Sequence, residues 1–162
     1  MELLSFEPAV SALAAALRER GWRVATAESC TGGLIAAACT ALAGSSDWFD
    51  RGFVTYSNQA KTEMLAVPPA LIAAHGAVSE PVALAMLEGA LHEAAVDLAV
   101  AVTGIAGPGG AVPGKPVGTV WLAWGTPHAR QAECLLLPGD RDAVRRAAVQ
   151  AALQRLLGVA GP

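Results

Sequence analysis

Apolar residues recur at helical spacing through SFEPAVSALAAALRER (5–20), a run that starts with Ser5 as a cap, carries Pro8 in its first turn and stops at Gly21. The period then shortens. WRVATAE (22–28) reads as a strand, SCTGG (29–33) as a turn and LIAAACTALAG (34–44) as a second helix closed by Gly44. GFVTYS (52–57) reads as another strand, after which Asn58 caps a helix carrying Gln59, Lys61 and Met64. A short helix follows VPP (67–69), and Ser79, with Glu80 and Pro81 behind it, opens a longer one that runs to about Ala95. DLAVAVTG (97–104) is almost wholly apolar, the pattern of a central strand covered on both faces. Beyond the Gly/Pro-rich loop IAGPGGAVPGKP (105–116), VGTVWLAW and RQAECLLL read as an antiparallel pair joined by a turn at 125–128. Asp140 caps the final helix.

Strands interleaved with helices and ending in an antiparallel pair predict an α/β fold: a three-layer α/β/α sandwich with a mixed, mostly parallel sheet, in one domain over 1–162. Composition narrows the function classes. With 54% hydrophobic and 15% charged residues, the chain can fill a core and has apolar surface to spare, so a homo-oligomer is expected. A net charge of −3 offers no basic footprint for nucleic acid. The longest apolar helical stretch, Leu34 to Ala43, is interrupted by Thr40 and falls short of the roughly 20 residues of a membrane span. The N-terminal MELLSFEP is acidic where a signal peptide would be basic, so a cytoplasmic location away from membranes is expected. Cys30, Cys39 and Cys134 form no CxxC or CxxH pair, and His75, His92 and His128 are scattered. Neither a disulfide framework nor a metal site is expected, and no cofactor.

In sheets of this kind ligands bind beyond the carboxyl ends of the strands, and three polar loops lie there. AESCTGG (27–33) sets Ser29, Thr31, Gly32 and Gly33 before a helix, where free backbone amides favour an anion; the same hydroxyls equally suit a helix cap. It is not a phosphate loop of the GxxxxGK[ST] type. TGIAGPGG (103–110) fails GxGxxG, leaving Thr103 and Gly104 either against a ligand or in a plain connection. The third, TYSNQAK (55–61), ends a stretch that holds Ser45, Ser46, Tyr56 and Lys61. A serine becomes a nucleophile when a base takes its proton, and a lysine serves as that base when burial lowers its pKa. Ser46 and Lys61 could form such a dyad with Tyr56 as relay, or could be a turn cap, a solvated helix residue and a packed ring. Arg141 and Arg145 share one face of the last helix at i, i+4 spacing. They could clamp a phosphate or pair with neighbouring carboxylates.

TAESCTGG (26–33), AGSSDWFDRGFVTYSNQAK (43–61), HGAVSEPVA (75–83), VTGIAGPGG (102–110), KPVGTVWLA (115–123) and PGDRDAVRRAA (138–148) together resemble one family, the CinA C-terminal domain or nicotinamide-nucleotide amidases. The resemblance implies a bacterial amidohydrolase that converts nicotinamide mononucleotide to nicotinate mononucleotide and ammonia in pyridine nucleotide salvage, without a metal. It matches the family nucleophile to Ser46, the lysine to Lys61 and the tyrosine to Tyr56. Ser29, Thr31 and Thr103 match pocket-lining residues, Arg141 and Arg145 match the arginine region, and Cys30, the rival nucleophile, matches a pocket or packing position. Larger relatives carry an N-terminal domain linked to ADP-ribose hydrolysis that does not occur in this sequence, so the stand-alone amidase without pyrophosphatase activity is expected. The competing reading is a pyridine-nucleotide-binding module that does not turn its ligand over.

Overall fold

The computed structural model of this chain describes residues 2–162. A five-stranded sheet runs in the order β2-β1-β3-β4-β5, formed by β1 (Val24–Glu28), β2 (Phe49–Val54), β3 (Leu98–Gly104), β4 (Thr119–Gly125) and β5 (Arg130–Leu136). β1 pairs parallel with both β2 and β3, whereas β4 pairs antiparallel with β3 and β5. Six helices cover it: α1 (Glu7–Arg20), α2 (Leu34–Thr40), α3 (Asn58–Leu65), α4 (Pro69–His75), α5 (Glu80–Ala94) and α6 (Arg141–Ala160). This is the α/β/α sandwich with a mixed, mostly parallel sheet that the pattern predicts.

The central strand shows how alternation builds two cores. Leu98, Val100 and Val102 of β3 face one layer, where they pack with Val10, Leu13 and Leu17 of α1, Ile35 of α2 and Val149, Leu153 and Leu156 of α6. Ala99 and Ala101 face the other, with Met86, Leu87 and Ala90 of α5 and Leu65 of α3. Small strand residues on that side let α5 lie close to the sheet. Gly89 continues the theme, because a Cβ there would collide with the Leu65 carbonyl at the end of α3. No helix among the described residues is long and apolar enough to cross a membrane.

Local details depart from expectation. α2 ends at Thr40, whose hydroxyl bonds back to the Ala36 carbonyl at 2.8 Å, and the chain leaves through Gly44 at φ +80°. β2 starts at Phe49 rather than Gly52 and ends at Val54, although the Thr55 amide still donates to the Glu28 carbonyl of β1 at 2.9 Å. The cap of α3 is Ser57, whose Oγ accepts from the Ala60 amide at 3.0 Å, so Asn58 is the first helical residue. Ser5 lies in a 3-10 turn before α1, and the Ser79 hydroxyl donates to the Gly76 carbonyl; neither caps. Asp140 caps α6 as expected, accepting from the Ala143 amide at 2.9 Å.

Because β1, β2 and β3 are mutually parallel, their carboxyl ends lie at one end of the sheet. That end gathers the loops after Glu28, Val54 and Gly104, together with the start of α6.

Candidate active site

β1 delivers Ser29 to this end, where its amide donates to the Val102 carbonyl of β3 at 2.9 Å. The chain must then turn sharply into α2, and Gly32 and Gly33 supply the left-handed backbone at φ +59° and +97°. The buried Glu28 carboxylate braces the turn. It accepts from the Thr31 hydroxyl at 2.7 Å, the Thr26 hydroxyl at 3.2 Å and the Ile35 and Ala36 amides at 2.9 and 3.0 Å. A carboxylate held by four donors at the start of a helix neutralises that helix terminus.

This bonding corrects the expected anion cradle. The α2 amides that would greet a phosphate already donate to Glu28, and Thr31, fully buried, gives its hydroxyl proton to the same carboxylate. Gly32 and Gly33 shape the turn and do not line the cleft described below. Ser29 alone of that loop's predicted polar residues turns its side chain to the cleft.

β2 ends one residue before Thr55, and the chain folds back into α3 so that Lys61 points inward. Lys61 is 1% exposed. Its Nζ lies 3.0 Å from Ser29 Oγ and 3.0 Å from the Thr55 carbonyl oxygen. No carboxylate pairs with it among the described residues. Burial therefore holds the Lys61 pKa below the ordinary 10.5, with the nearby Cys30 thiol offsetting part of the effect. Lys61 Nζ donates to both the Thr55 carbonyl and the Ser29 hydroxyl oxygen; in its neutral form the amine's lone pair can instead accept the Ser29 proton.

Ser46, expected as the partner of Lys61, is elsewhere. It sits in a 3-10 turn that precedes β2, at the amino end of the strands, where its carbonyl accepts from Arg23 Nη1 at 3.2 Å. The six residues of β2 lie between this turn and Thr55. At ~3.3 Å per residue they separate Ser46 from the lysine by roughly 20 Å. Direct proton transfer over that span is impossible, and the hydroxyl within reach is that of Ser29.

The cleft, about 210 Å³, is lined by Ser29, Cys30, Tyr56, Asn58, Lys61, Ala77, Val78, Thr103, Gly104, Ala106 and Arg141. Thr103 gives its proton to the Ala77 carbonyl at 2.9 Å, which ties β3 to the loop before α5 and leaves its oxygen free to accept. Gly104 is required by proximity: a Cβ there would come within 3.1 Å of Cys30 Sγ and 2.7 Å of Val120 Cγ2. Tyr56 is exposed at the mouth, and its hydroxyl accepts from Arg141 Nη2 at 3.0 Å; no bond joins it to Lys61. Arg141 also donates to the Gly107 carbonyl at 2.9 Å. Arg145 is turned away from the cleft lining, toward the carbonyls of Cys30 and Thr31. Cys30 stands beside Ser29, but burial pushes its thiol up to about 11, which keeps it protonated and weakly nucleophilic. A larger groove of about 990 Å³ along α5 shares no lining residue with the cleft and carries no nucleophile beside a buried base. Among the described residues no group of three or more His, Cys, Asp or Glu is placed to hold a metal ion.

Sequence reading missed Asn58, Ala77, Val78 and Ala106 as lining, and the Thr55 carbonyl and Glu28 as supports. Glu28 left one signal, a carboxylate at the end of an otherwise apolar strand.

Fold and cleft together define an α/β/α domain with a serine facing a buried lysine at the strand ends. The family model described as the CinA C-terminal domain matches residues 7–160, and the chain belongs to that family. Nicotinamide-nucleotide amidohydrolase PncC of Escherichia coli is 56% identical over 144 residues, covering 87% of this chain and 86% of that protein. A CinA-like protein of Syntrophobacter fumaroxidans is 57% identical over 137 residues, which cover 85% of this chain but only 32% of that longer protein. Among solved structures, the competence/damage inducible protein CihA from Agrobacterium tumefaciens superposes with a TM-score of 0.92 at 44% identity, covering 94% of both chains.

Proposed function

We propose that this protein hydrolyses the carboxamide of nicotinamide mononucleotide to nicotinate mononucleotide and ammonia, with Ser29 as nucleophile and Lys61 as its base. The single observation that carries the reading is the buried Lys61 amine, unpaired with any carboxylate and 3.0 Å from Ser29 Oγ in a cleft. Likeness to a nicotinamide-nucleotide amidohydrolase supplies the substrate class.

Lys61 takes the Ser29 proton as Oγ bonds to the carboxamide carbon and the carbonyl electron pair moves to oxygen. The tetrahedral adduct collapses, the C–N bond breaks, and the proton held on Lys61 goes to the departing nitrogen, which leaves as ammonia. Water then attacks the Ser29 ester with Lys61 again accepting a proton, and Ser29 leaves reprotonated. In this reading backbone amides donate to the oxyanion. The flat pyridine ring then lies beside Val78, Ala106 and Gly104 and Arg141 binds the phosphate; the presence of Arg141 in the lining, with its guanidinium donating to the Tyr56 hydroxyl, supports this placement.

The test is ammonia release from nicotinamide mononucleotide in EDTA by the wild type and by folded Ser29→Ala. Expected is release by the wild type and a loss of about 10³-fold or more in the variant. Nucleotide binding without release by the wild type would sink the amidase reading in favour of a binding module.

A further inference from the structure

Arg145 occupies a place that phosphate binding does not explain. It projects from the second turn of α6 onto the loop that carries Ser29, where its Nε donates to the Cys30 carbonyl at 3.1 Å and its Nη2 to the Thr31 carbonyl at 3.3 Å. Both acceptors are main-chain oxygens of the residues that directly follow the nucleophile. Gly32, at φ +59°, lies in contact range of the same Nη2, 3.6 Å from where a Cβ would stand. Arg145 is half-buried and forms no ion pair among the described residues.

A trans peptide is planar, so fixing a carbonyl on one side turns the following N–H to the other. With the Cys30 and Thr31 carbonyls aimed at Arg145, the amides of Thr31 and Gly32 are directed away from it. The Gly32 amide closes the turn onto the Ser29 carbonyl at 3.0 Å, which fixes the nucleophile's own peptide unit. The Thr31 amide has no acceptor among the described residues. Glu28 holds the turn from the α2 side and Arg145 holds it from the α6 side, so the backbone around Ser29 is clamped between two helices.

We propose that Arg145 is a positioning residue: its two-pronged contact with the Cys30 and Thr31 carbonyls sets the Ser29 loop for attack on the carboxamide, and it does not bind the substrate phosphate. The proposal rests on Ser29 being the nucleophile. A lysine cannot replace the clamp, because one ammonium does not reproduce the planar fork that reaches both oxygens. Arg141, one helical turn earlier, is the residue that lines the cleft.

The experiment compares the wild type with Arg145→Lys and Arg145→Met, each checked by circular dichroism and thermal melting. It measures kcat and KM for nicotinamide mononucleotide. It also measures the rate at which phenylmethanesulfonyl fluoride, a small uncharged serine reagent, modifies Ser29, read by peptide mass spectrometry. Expected in both variants is a kcat lower by about 10- to 100-fold with KM within about threefold, and a parallel fall in the labelling rate. A raised KM with kcat and labelling unchanged would assign Arg145 to phosphate and overturn the proposal, as would wild-type behaviour in both variants. If Arg145→Met does not fold, Arg145→Lys, which keeps the charge and most of the bulk, decides alone. Wild-type enzyme that turns over the nucleotide yet carries no label on Ser29, with label or activity tracking another residue, would instead defeat the Ser29 assignment, a result separate from any effect of Arg145.

Discussion

Two serines of this chain lie near basic side chains, and they occupy opposite ends of the same parallel strands. At the amino end, Ser46 offers only its carbonyl to Arg23, within a surface web in which Arg18 meets Asp47 and Arg23 and Arg51 meet Asp50. The Arg51 hydrogen bond, helped by Arg23, holds the Asp50 carboxyl below its ordinary range, so each cation there has an anion. At the carboxyl end, Lys61 is buried, has no anion and meets Ser29 instead. Water and counter-charges keep the first set ionised and inert. Their removal lowers the pKa of the second. The difference teaches that a serine near a cation in sequence is not yet a catalytic pair; the cation must be desolvated, unpaired and within reach of the hydroxyl.

The sharpest way to break the comparison is to remove the buried amine. Lys61→Met should lower kcat/KM by about 10³-fold or more while the protein remains folded, measured by ammonia release and circular dichroism. Activity within tenfold of wild type would make the buried lysine a packing residue.

The same amine predicts two pH effects. Wild-type kcat/KM should rise with pH through the Lys61 pKa and level off below 10.5, since only the neutral amine accepts the Ser29 proton. Stability should follow with a defined sign. The unfolded chain titrates this lysine at its ordinary 10.5 and the folded chain lower, so between the two values the unfolded state binds more protons. Urea unfolding should therefore show stability falling as pH drops from 10.5 toward the folded-state pKa and staying level below it, with this component absent from Lys61→Met. An unchanged slope in the variant would mean that folding does not depress this pKa.

A smaller effect is expected at the cleft mouth. Arg141→Ala removes the cation and the partner of Tyr56, and should raise KM for nicotinamide mononucleotide about tenfold or somewhat more with kcat much less affected. An equal fall of kcat at constant KM would place Arg141 at the reacting carbon instead of the phosphate.

The smallest effect should come from the other end of the strands. Ser46→Ala leaves the carbonyl that Arg23 uses and removes only an exposed hydroxyl, so kcat/KM should stay within about twofold. If Ser46→Ala were as inactive as Ser29→Ala, the two ends would have to be exchanged.

Much of the architecture was legible because local periodicity and burial agree along these segments. The near-continuous apolar run of Leu98–Gly104 marked the middle of the sheet, and Gly21 and Asp140 marked a helix end and a helix start. The misreadings were at boundaries, where a single hydrogen bond decides: Ser57 took the cap expected of Asn58, and Thr40 closed α2 early. At the site, Lys61, Tyr56, Thr103, Gly104 and Arg141 were picked out as candidates and all line the cleft with Ser29. Ser46 was misjudged because closeness along the chain stood in for closeness in space. Thr31 turns from the cleft because its hydroxyl donates to Glu28, only three residues before it; the spacing is visible in the sequence, but the burial of that carboxylate against the start of α2 is not.

The sequence by itself determined the elements, the central strand and the family, since periodicity, turn chemistry and long motifs are properties of contiguous residues. It also carried every group the chemistry needs. Tertiary structure alone decided which serine meets the lysine. Parallel pairing brings the carboxyl end of β1 beside that of β2, which joins Ser29 to Lys61 across 32 positions, and sends everything before β2, Ser46 included, to the far end. It also decided the downward shift of the lysine's pKa, because the burial that causes it comes from packing between segments that no local stretch contains.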